Sequence, residues 1–298
     1  MEYEADPKHR EVMIKEFGLQ EGSKALVSPG VKGEKEDEEA QELDRNEARW
    51  FRSVAARGNY LGADRGDIQY AVKEASRGMA KPTWADVGRL KRVARYLVGA
   101  ERIVWRFRGG GAVADRLDVY VDSDWAGRRT DRKSTSGGVM CVGGQVVKTW
   151  SSTQGSVAMS SGEAEYYALV KGAAEGLGLQ AVMADLGWKM DVKVWSDSSA
   201  ARGMAARRGL GKNRHMEVKY LWIQEVLRSG RLEMGRVPGW RNGADMMTKY
   251  LGAAQIRDIV GAIGGFMEGR LVEVEEGGGK VGGEFVGWLK VGGRGGGR

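Results

Sequence analysis

The segment YVDSDWAGRRTDRKSTSGG, Tyr120–Gly138, places two aspartates at the end of an apolar-alternating run and follows them with a basic loop rich in Ser, Thr and Gly. Residues 117–121 alternate apolar and polar side chains, which is the period-two pattern of a strand with one buried face. Aspartate is a poor strand former. Asp122 and Asp124 therefore either cap a turn or stand at the strand end to bind a ligand.

The composition is that of a globular protein with an anionic partner. Of 298 residues, 42% are hydrophobic and 29% charged, which suffices for one or two cores of ordinary domain size. The formal net charge of +7 favours nucleic acid first and a membrane surface second. One cysteine excludes an intramolecular disulfide, and two histidines are too few for a Cys/His zinc cluster. Without a membrane-spanning apolar run or a signal-like N-terminus, we expect an intracellular protein with no membrane role.

Shifts in composition divide the chain into four parts. Residues 1–45 contain a predicted helix, Pro7–Phe17, and an acidic, turn-rich linker that we expect to be mobile. Residues 46–112 have the periodicity of helices, and residues 113–251 alternate strand and helix signals. Residues 252–298 are Gly-rich, and we predict that they form a disordered tail.

The pattern of residues 113–251 predicts three antiparallel strands, a long helix and a fourth strand. Two helices, a fifth strand and a last helix follow. The first strand ends at Asp122, and Gly-Gly at 143–144 predicts a tight hairpin between the next two. Ser160 and Glu163 have the spacing of a capping box at the start of the long helix. Asn242 is the expected N-cap of the last helix.

Four carboxylates stand at the ends or in the first turns of these predicted elements: Asp122, Glu165, Asp197 and Asp245. No Cys or His accompanies them, and an oxygen-only ligand set suits Mg²⁺ or Mn²⁺ rather than zinc. Each acid alone has a structural alternative as a cap or as a favourable charge at a helix N-terminus. The capping-box position of Glu163 leaves Glu165 as the metal-ligand candidate. The order of the four acids along the elements is what favours a shared site.

The third part also resembles the ribonuclease H domain of copia-type retrotransposon Pol polyproteins. The similarity lies in six ordered blocks: VDSDWAG, DRKSTSGG, TWSSTQGSVAMSSGEAEYYAL, VWSDSSAA, NRHMEVKYLWIQE and GRVPGWRNGADMMTKYL. Upstream, YEADPKHREVMIKEFGL and LVSPGVK resemble the end of the family's reverse transcriptase, and DIQYAVKEASRGMAKPTWADVGRLKRVARYLVG resembles its connection region. The resemblance implies an α/β, ribonuclease H-like fold, a five-stranded mixed sheet flanked by helices, preceded by a small and mostly helical connection region.

Matched residue by residue, the resemblance implies that Asp122, Glu165, Asp197 and Asp245 are catalytic and hold two Mg²⁺ or Mn²⁺ ions. The implied reaction is endonucleolytic hydrolysis of the RNA strand of an RNA-DNA hybrid, which is recognised by its shape and 2′-hydroxyl groups. Asp124 belongs to the same block as Asp122, and we predict that it caps the turn.

The implied partners are the hybrid and a reverse transcriptase polymerase domain, whose catalytic aspartates are missing from this chain. Polymerisation by the chain alone is therefore not expected, and neither is a small-molecule cofactor. The family's reverse transcription in virus-like particles implies a cytoplasmic location.

Basic, aromatic and hydroxyl side chains near the acids are the predicted nucleic-acid contacts. They lie in the loop after the first strand, in the segment after the fourth strand and in the loop before Asp245. The set comprises Arg128, Arg129, Arg132, Lys133, Ser134, Arg207, Arg208, Lys212, Arg214, His215, Trp240 and Arg241. For each charged residue the alternative is solvated surface charge, and for His215 it is packing or a local hydrogen bond.

Three other functions compete with this interpretation. An integrase or transposase nuclease would end its acidic cluster with a glutamate on a late helix, where this chain has Asp245. A catalytically inactive, nucleic-acid-binding remnant of a polyprotein is the main alternative. A purely structural tether has only the helical residues 46–99 in its favour. Failure of the four carboxylates to converge in space would favour the inactive remnant.

Overall fold

The computed structural model describes residues 1–31, 40–107, 115–127, 130–211 and 213–270. Most of the predicted acidic linker and of the Gly-rich tail lies outside these residues, as do three of the predicted nucleic-acid contacts, Arg128, Arg129 and Lys212. Within the described ranges no helix combines the length and the apolar character that crossing a membrane requires.

The N-terminal part is mostly helical, with a short strand at each end. Its elements are β1 (Glu2–Glu4), α1 (Pro7–Glu16), α2 (Arg45–Asp64), α3 (Gly66–Ser76), α4 (Trp84–Gly99) and β2 (Arg102–Arg106). Asp44 and Glu47 form a capping box that begins α2. α4 buries one apolar stripe, since Leu90, Val93 and Leu97 are fully buried.

The second part contains the predicted sheet. Its elements are β3 (Arg116–Asp124), β4 (Thr135–Val142), β5 (Gln145–Thr153), α5 (Ser161–Asp185), β6 (Asp191–Ser196), α6 (Ser199–Ala206), α7 (Trp222–Arg228) and β7 (Glu233–Arg236). The strand order is β5-β4-β3-β6-β7. β3 pairs antiparallel with β4 and parallel with β6, and β6 pairs parallel with β7. The predicted ribonuclease H-like fold, a five-stranded mixed sheet flanked by helices, is confirmed.

A two-residue turn joins β4 to β5, as the sequence predicts. Gly143 and Gly144 have φ angles of 59° and 79°. Side chains are strained at such angles, so Gly-Gly is suited to a turn that matches the twist of the flanking strands.

Both faces of the sheet are covered. α5 lies so close to one face that a Cβ added at Gly172 would stand 2.3 Å from Val121 Cγ1. The other face packs against the N-terminal helices, because Val139, Cys141 and Val146 of the sheet share one buried apolar cluster with them. The helical region and the sheet therefore have a common core.

Two predictions for the end of the chain are corrected. The predicted last helix is a 3-10 turn, Gly243–Met247, although Asn242 does cap it by accepting a hydrogen bond from Ala244 N. Asn242 Nδ2 donates to Val121 O, and Thr248 Oγ1 donates to Asp122 Oδ2, so tertiary contacts fix both ends of this single turn.

The prediction of a disordered tail is wrong for residues 252–270, which the structure describes. Two more elements follow, α8 (Ala253–Ala262) and β8 (Gly265–Glu268). β8 pairs antiparallel with β2, and β2 with β1, to form a second, three-stranded sheet. Ile256 and Val260 of α8 are buried. Burial of apolar side chains at the spacing of a helix and a strand, Ile256, Val260, Ile263 and Met267, thus stabilises a segment whose glycines suggested a tail.

A buried ion pair at the start of α3 was not predicted. Arg65, only 2% exposed, donates from Nε and Nη2 to the two carboxylate oxygens of Asp67 at 2.9 and 2.7 Å. Tyr96 Oη donates to Asp67 Oδ2 at 2.9 Å, and Arg65 Nη2 also donates to Ala100 O. The network satisfies both charges and joins α3, α4 and the segment leading into β2.

Removal of one partner of this pair is expected to be costly. Asp67→Ala leaves the buried Arg65 charge uncompensated, so we expect a loss of about 3–5 kcal/mol in the free energy of unfolding, measured by urea denaturation. The control is Glu2→Ala, which breaks an exposed pair with Arg106 and is expected to cost at most about 1 kcal/mol. Equal losses in the two variants would contradict the prediction.

Candidate active site

Three of the four predicted acids converge at one edge of the sheet. Asp122 lies near the end of β3, Asp197 directly follows β6, and Glu165 lies in the second turn of α5. One carboxylate oxygen from each lies within 4.8 Å of the others. β3 and β6 are adjacent parallel strands, so their carboxyl ends meet at this edge. The backbone N–H of Ser123 donates to Glu165 and ties α5 to β3.

Asp245 lies beside this group and is linked to it through a lysine. Lys249 Nζ is 2.8 Å from Asp245 Oδ1 and 3.3 Å from Asp122 Oδ2. Thr248 Oγ1 also donates to Asp122 Oδ2. Sequence reasoning missed Thr248 and Lys249. Their positions three and four residues after Asp245, one helical turn on, were the available signal.

Burial and, after it, crowding raise the pKa values of Glu165, Asp122 and Asp245. Burial, followed by the charges of Asp122 and Asp197, raises the pKa of Glu165 to about 9. Burial raises the pKa of Asp122 to about 6, with Lys249 opposing the shift and Asp245 adding to it. Burial also raises the pKa of Asp245, and the hydrogen bond from Lys249 opposes this. The site therefore holds more negative charge than its surroundings balance.

The donor set fits a hard divalent cation. Within the part of the chain that the structure describes, Glu165 Oε2 is buried and accepts no hydrogen bond. A buried carboxylate oxygen without a partner is costly unless a cation occupies the site. All candidate ligand atoms are carboxylate oxygens, which Mg²⁺ and Mn²⁺ prefer. Asp122, Glu165 and Asp197 are thus suited to bind such an ion.

Glu165 and Asp197 line an open cleft between the N-terminal ends of two helices. Ser161 and Gly162 of α5 line one side, and Ser198 and Ser199 at the start of α6 line the other. Backbone N–H groups at helix N-termini favour negative charge. A cleft with carboxylates at its base and helix N-termini on its walls suits a phosphodiester whose charge is bridged to the acids by cations.

Glu163 has a role that the predicted capping box does not describe. Ser160 Oγ accepts from Glu163 N as expected, but Glu163 Oε2 accepts from Met159 N instead of closing the box. His215 Nε2 lies 2.8 Å from Glu163 Oε2, and Tyr167 Oη donates to Glu163 Oε1. The capping-box prediction is therefore only half correct. His215 makes the local hydrogen bond that was its structural alternative.

Asp124 lies within β3, which extends past Ser123, so it shares the sheet face of Asp122. Its Oδ2 accepts a hydrogen bond from Tyr70 Oη of α3 at 3.3 Å. The close approach of Gly127, where an added Cβ would be 1.8 Å from Asp124 Oδ2, is compatible with the predicted turn cap. That role stays a prediction.

The predicted nucleic-acid contacts differ in accessibility. Six are exposed: Arg132, Arg208, Arg214, His215, Trp240 and Arg241. Lys133 and Arg207 are half-buried, and Arg207 Nη2 donates to Leu210 O.

Ser134 is fully buried, and its Oγ accepts a hydrogen bond from Ala126 N at 3.0 Å, so it stabilises the turn after β3. Its contact with a substrate stays a prediction.

Trp240 is the exposed aromatic side chain beside the acids. It is 72% exposed, and the Arg241 guanidinium lies over its ring at 4.4 Å from the centroid. The preceding Gly239 is adjacent to Asp197, since an added Cβ would stand 3.1 Å from Asp197 Oδ2. A stacked Trp-Arg pair at the rim of an acidic site is a suitable contact for a base or a sugar-phosphate group.

Substitution of Glu165 tests its raised pKa. The folded chain keeps the proton above the ordinary pKa of 4.5, so stability falls as pH rises from there toward the folded-state pKa. We expect Glu165→Gln to increase the free energy of unfolding in EDTA at pH 8 by about 1–3 kcal/mol and by less at pH 5, measured by urea denaturation.

A matched control lies on the same helix. Burial raises the pKa of Glu175, but the hydrogen bonds and charges of Lys148 and Lys171 together outweigh it, so the net shift is downward. Glu175→Gln is therefore expected to lower stability slightly or leave it unchanged. Stabilisation by both substitutions would show that the effect is unrelated to the acidic cluster.

Binding of a cation to the cluster is expected to depend on pH. Glu165 and Asp122 must lose protons to become ligands, and their pKa values are about 9 and about 6. The apparent affinity for Mg²⁺, measured as a concentration-dependent rise in melting temperature, should therefore increase from pH 6 to pH 9. An affinity that is constant over this range would exclude these two carboxylates as ligands.

The chain is similar to several known proteins. No protein-family model matches the chain. It is 29% identical over 217 residues to the Retrovirus-related Pol polyprotein from transposon RE1 of Arabidopsis thaliana, which is 72% of this chain and 15% of the polyprotein. It is 30% identical over 189 residues to the corresponding polyprotein from transposon TNT 1-94 of Nicotiana tabacum, which is 63% of this chain and 14% of the polyprotein.

Among solved structures, LC11-RNase H1, isolated from compost, is similar with a TM-score of 0.36 and 20% identity, over 45% of this chain and 92% of that one. The fold assignment rests on the strand order and not on this score. The chain spans about 15% of the length of these two polyproteins. The predicted resemblance is nevertheless confirmed: this chain is a homologue of the retrovirus-related Pol polyproteins of transposons.

Proposed function

We propose that this chain hydrolyses the RNA strand of RNA-DNA hybrids with two divalent cations, as the ribonuclease H part of a retrotransposon polyprotein. The ribonuclease H-like fold and the homology to Pol polyproteins support a role of this kind. The observation that carries the proposal is the convergence of Asp122, Glu165 and Asp197 at the sheet edge. A structural cluster of caps would not bring three carboxylates within 4.8 Å of one another.

The four acids have distinct positions in the proposed site. Asp122, Glu165 and Asp197 would hold one cation, and Asp245 would join Asp122 in holding a second. Two bound divalent cations supply charge neutralisation at the scissile phosphate and activation of the attacking water. Thr248 donates to Asp122 Oδ2 and leaves Oδ1 for a ligand.

The residues around the acids provide for substrate binding. The open cleft between α5 and α6 admits a backbone phosphate, and Trp240 with Arg241 lies at the rim next to Asp197. None of these groups reads base edges in a defined pattern. Recognition by duplex shape and by 2′-hydroxyl groups, the mode expected for a hybrid, is consistent with such a surface.

A second candidate function is nucleic-acid binding without cleavage. The Lys249 ammonium already compensates two of the four acids in this structure. A lysine that stayed there would weaken the binding of a second cation by charge repulsion. The polymerase domain as a partner and a cytoplasmic, particle-associated location remain predictions under either function.

Cleavage of a labelled RNA-DNA hybrid by the full chain, with Mg²⁺ or Mn²⁺, tests the proposal. We expect cutting of the RNA strand that leaves 5′-phosphate ends, and a loss of at least a hundredfold in Asp122→Asn and Asp197→Asn. The matched control is Asp191→Asn, an exposed acid at the opposite end of β6 from Asp197. Single-stranded RNA and duplex DNA should remain intact.

The outcomes separate the two candidates. Hybrid binding without cleavage under all metal conditions would reject the nuclease and favour the inactive binder. Cleavage that persists in both Asn variants would assign the activity to a contaminant or to other residues.

A further inference from the structure

α3 of the N-terminal region lies against the sheet face that carries the acids. Even-numbered residues of β3 from Asp118 to Asp124 point to this face, because Val119 and Val121 point to α5. Gln69 Nε2 of α3 donates to Thr149 O of β5, and a Cβ added at Gly66 would be 3.7 Å from Thr149. The helix thus crosses the sheet close to its catalytic edge.

Two polar side chains of α3 contact the last residue pair of β3 and β4. Asp124 pairs with Thr135 in the antiparallel register, one pair beyond Ser123 and two beyond Asp122. Tyr70 Oη donates to Asp124 Oδ2 at 3.3 Å, and Lys73 Nζ donates to Thr135 Oγ1 at 2.6 Å. Tyr70 is 8% exposed and the Lys73 side chain 13% exposed, so water does not readily replace these bonds.

The same helix contacts the turn that carries Asp245. A Cβ added at Gly66 would be 3.1 Å from Met247 Cε and 3.4 Å from Met246 Cε. The Tyr70 and Tyr250 rings lie 4.8 Å apart between centroids. Residues 246–250 immediately follow Asp245 and include Thr248 and Lys249, which contact Asp122. One helix therefore touches both segments that supply acids to this side of the site.

We propose that Tyr70 and Lys73 are positioning residues of the active site, through which α3 holds the end of β3 and the Asp245 turn at the spacing that the cations require. Tyr70 acts through Asp124, and Lys73 acts through Thr135. The inference rests on the proposed function for its effect on cleavage, but its effect on cation binding is independent of cleavage.

The proposal gives the N-terminal helices a part in the chemistry. α5 and the segment 242–248 hold Val121 and Asp122, whereas the last residue of β3, Asp124, is held by its pairing with β4 and by the hydrogen bond from α3. Loss of the Tyr70 hydroxyl leaves the apolar packing intact but frees the Asp124 carboxylate. Ligand groups that are misplaced by fractions of an ångström bind cations and align a phosphate poorly.

Tyr70→Phe in the full chain tests the proposal with two measurements. We expect kcat on the hybrid to fall at least fivefold while KM changes less than twofold, because substrate contacts are not altered. We also expect the apparent Mg²⁺ dissociation constant, from thermal shift titration without nucleic acid, to rise at least threefold. The control is Tyr60→Phe, which removes an exposed phenolic hydroxyl from neighbouring α2 and should change neither quantity.

A double-mutant cycle checks that Tyr70 acts through Asp124. Asp124→Ala alone should reproduce the effect of Tyr70→Phe, and the double variant should be no worse than the more severe single variant. Additive losses in kcat would overturn this route. Lys73→Met provides a second variant, with a matching loss of Mg²⁺ affinity expected.

The two proposals can fail separately. A wild-type chain that cleaves the hybrid, with Tyr70→Phe equal to it in kcat and in Mg²⁺ affinity, would overturn the positioning role and keep the nuclease. A wild-type chain that binds Mg²⁺ but never cleaves, with weaker binding in Tyr70→Phe, would keep the positioning role and reject the nuclease.

Discussion

Mutual repulsion among buried carboxylates is the constraint around which this molecule is arranged. The parallel pairing of β3 and β6 brings Asp122 and Asp197 to one edge, and α5 adds Glu165 above them. Burial first, and then the charges of Asp122 and Asp197, raise the cost of ionising Glu165, as its high pKa shows. Such an arrangement lowers stability and persists only because packing elsewhere holds it. Strain of this kind is expected where a site is preorganised for a charged ligand.

The packing that holds it comes from both faces of the sheet. α5 packs closely on Val121 at Gly172, and the N-terminal helices share a hydrophobic core with Val139 and Val146 of the sheet. The Arg65-Asp67 pair stiffens the start of α3, the helix that contacts the strand end. The helical region that the sequence predicts as a connection, residues 46–112, thus shares its hydrophobic core with the sheet that carries the acids.

Sequence alone predicted the order of strands and helices from 113 to 251, because alternation and helical periodicity are local signals. It also predicted three acids that converge, since Asp122 and Asp197 stand where strands end and Glu165 stands in the first turns of a helix. It could not predict β1, β2 and β8, whose pairing is long-range, or the 3-10 turn after Asn242, which tertiary contacts set. Ser134 looked like part of a basic surface loop, but its burial depends on the turn folding back over it.

The three-stranded sheet joins parts of the chain that are far apart in sequence. β1 spans residues 2–4, β8 spans residues 265–268, and β2 lies between them in the sheet and pairs with both. A fragment limited to residues 113–251 would lack all three strands and α3, and would present the apolar side chains of Val139, Cys141 and Met247 to water. We expect such a fragment to be prone to aggregation whatever its catalytic competence. A soluble fragment is therefore expected to extend beyond the stretch that contains the acids.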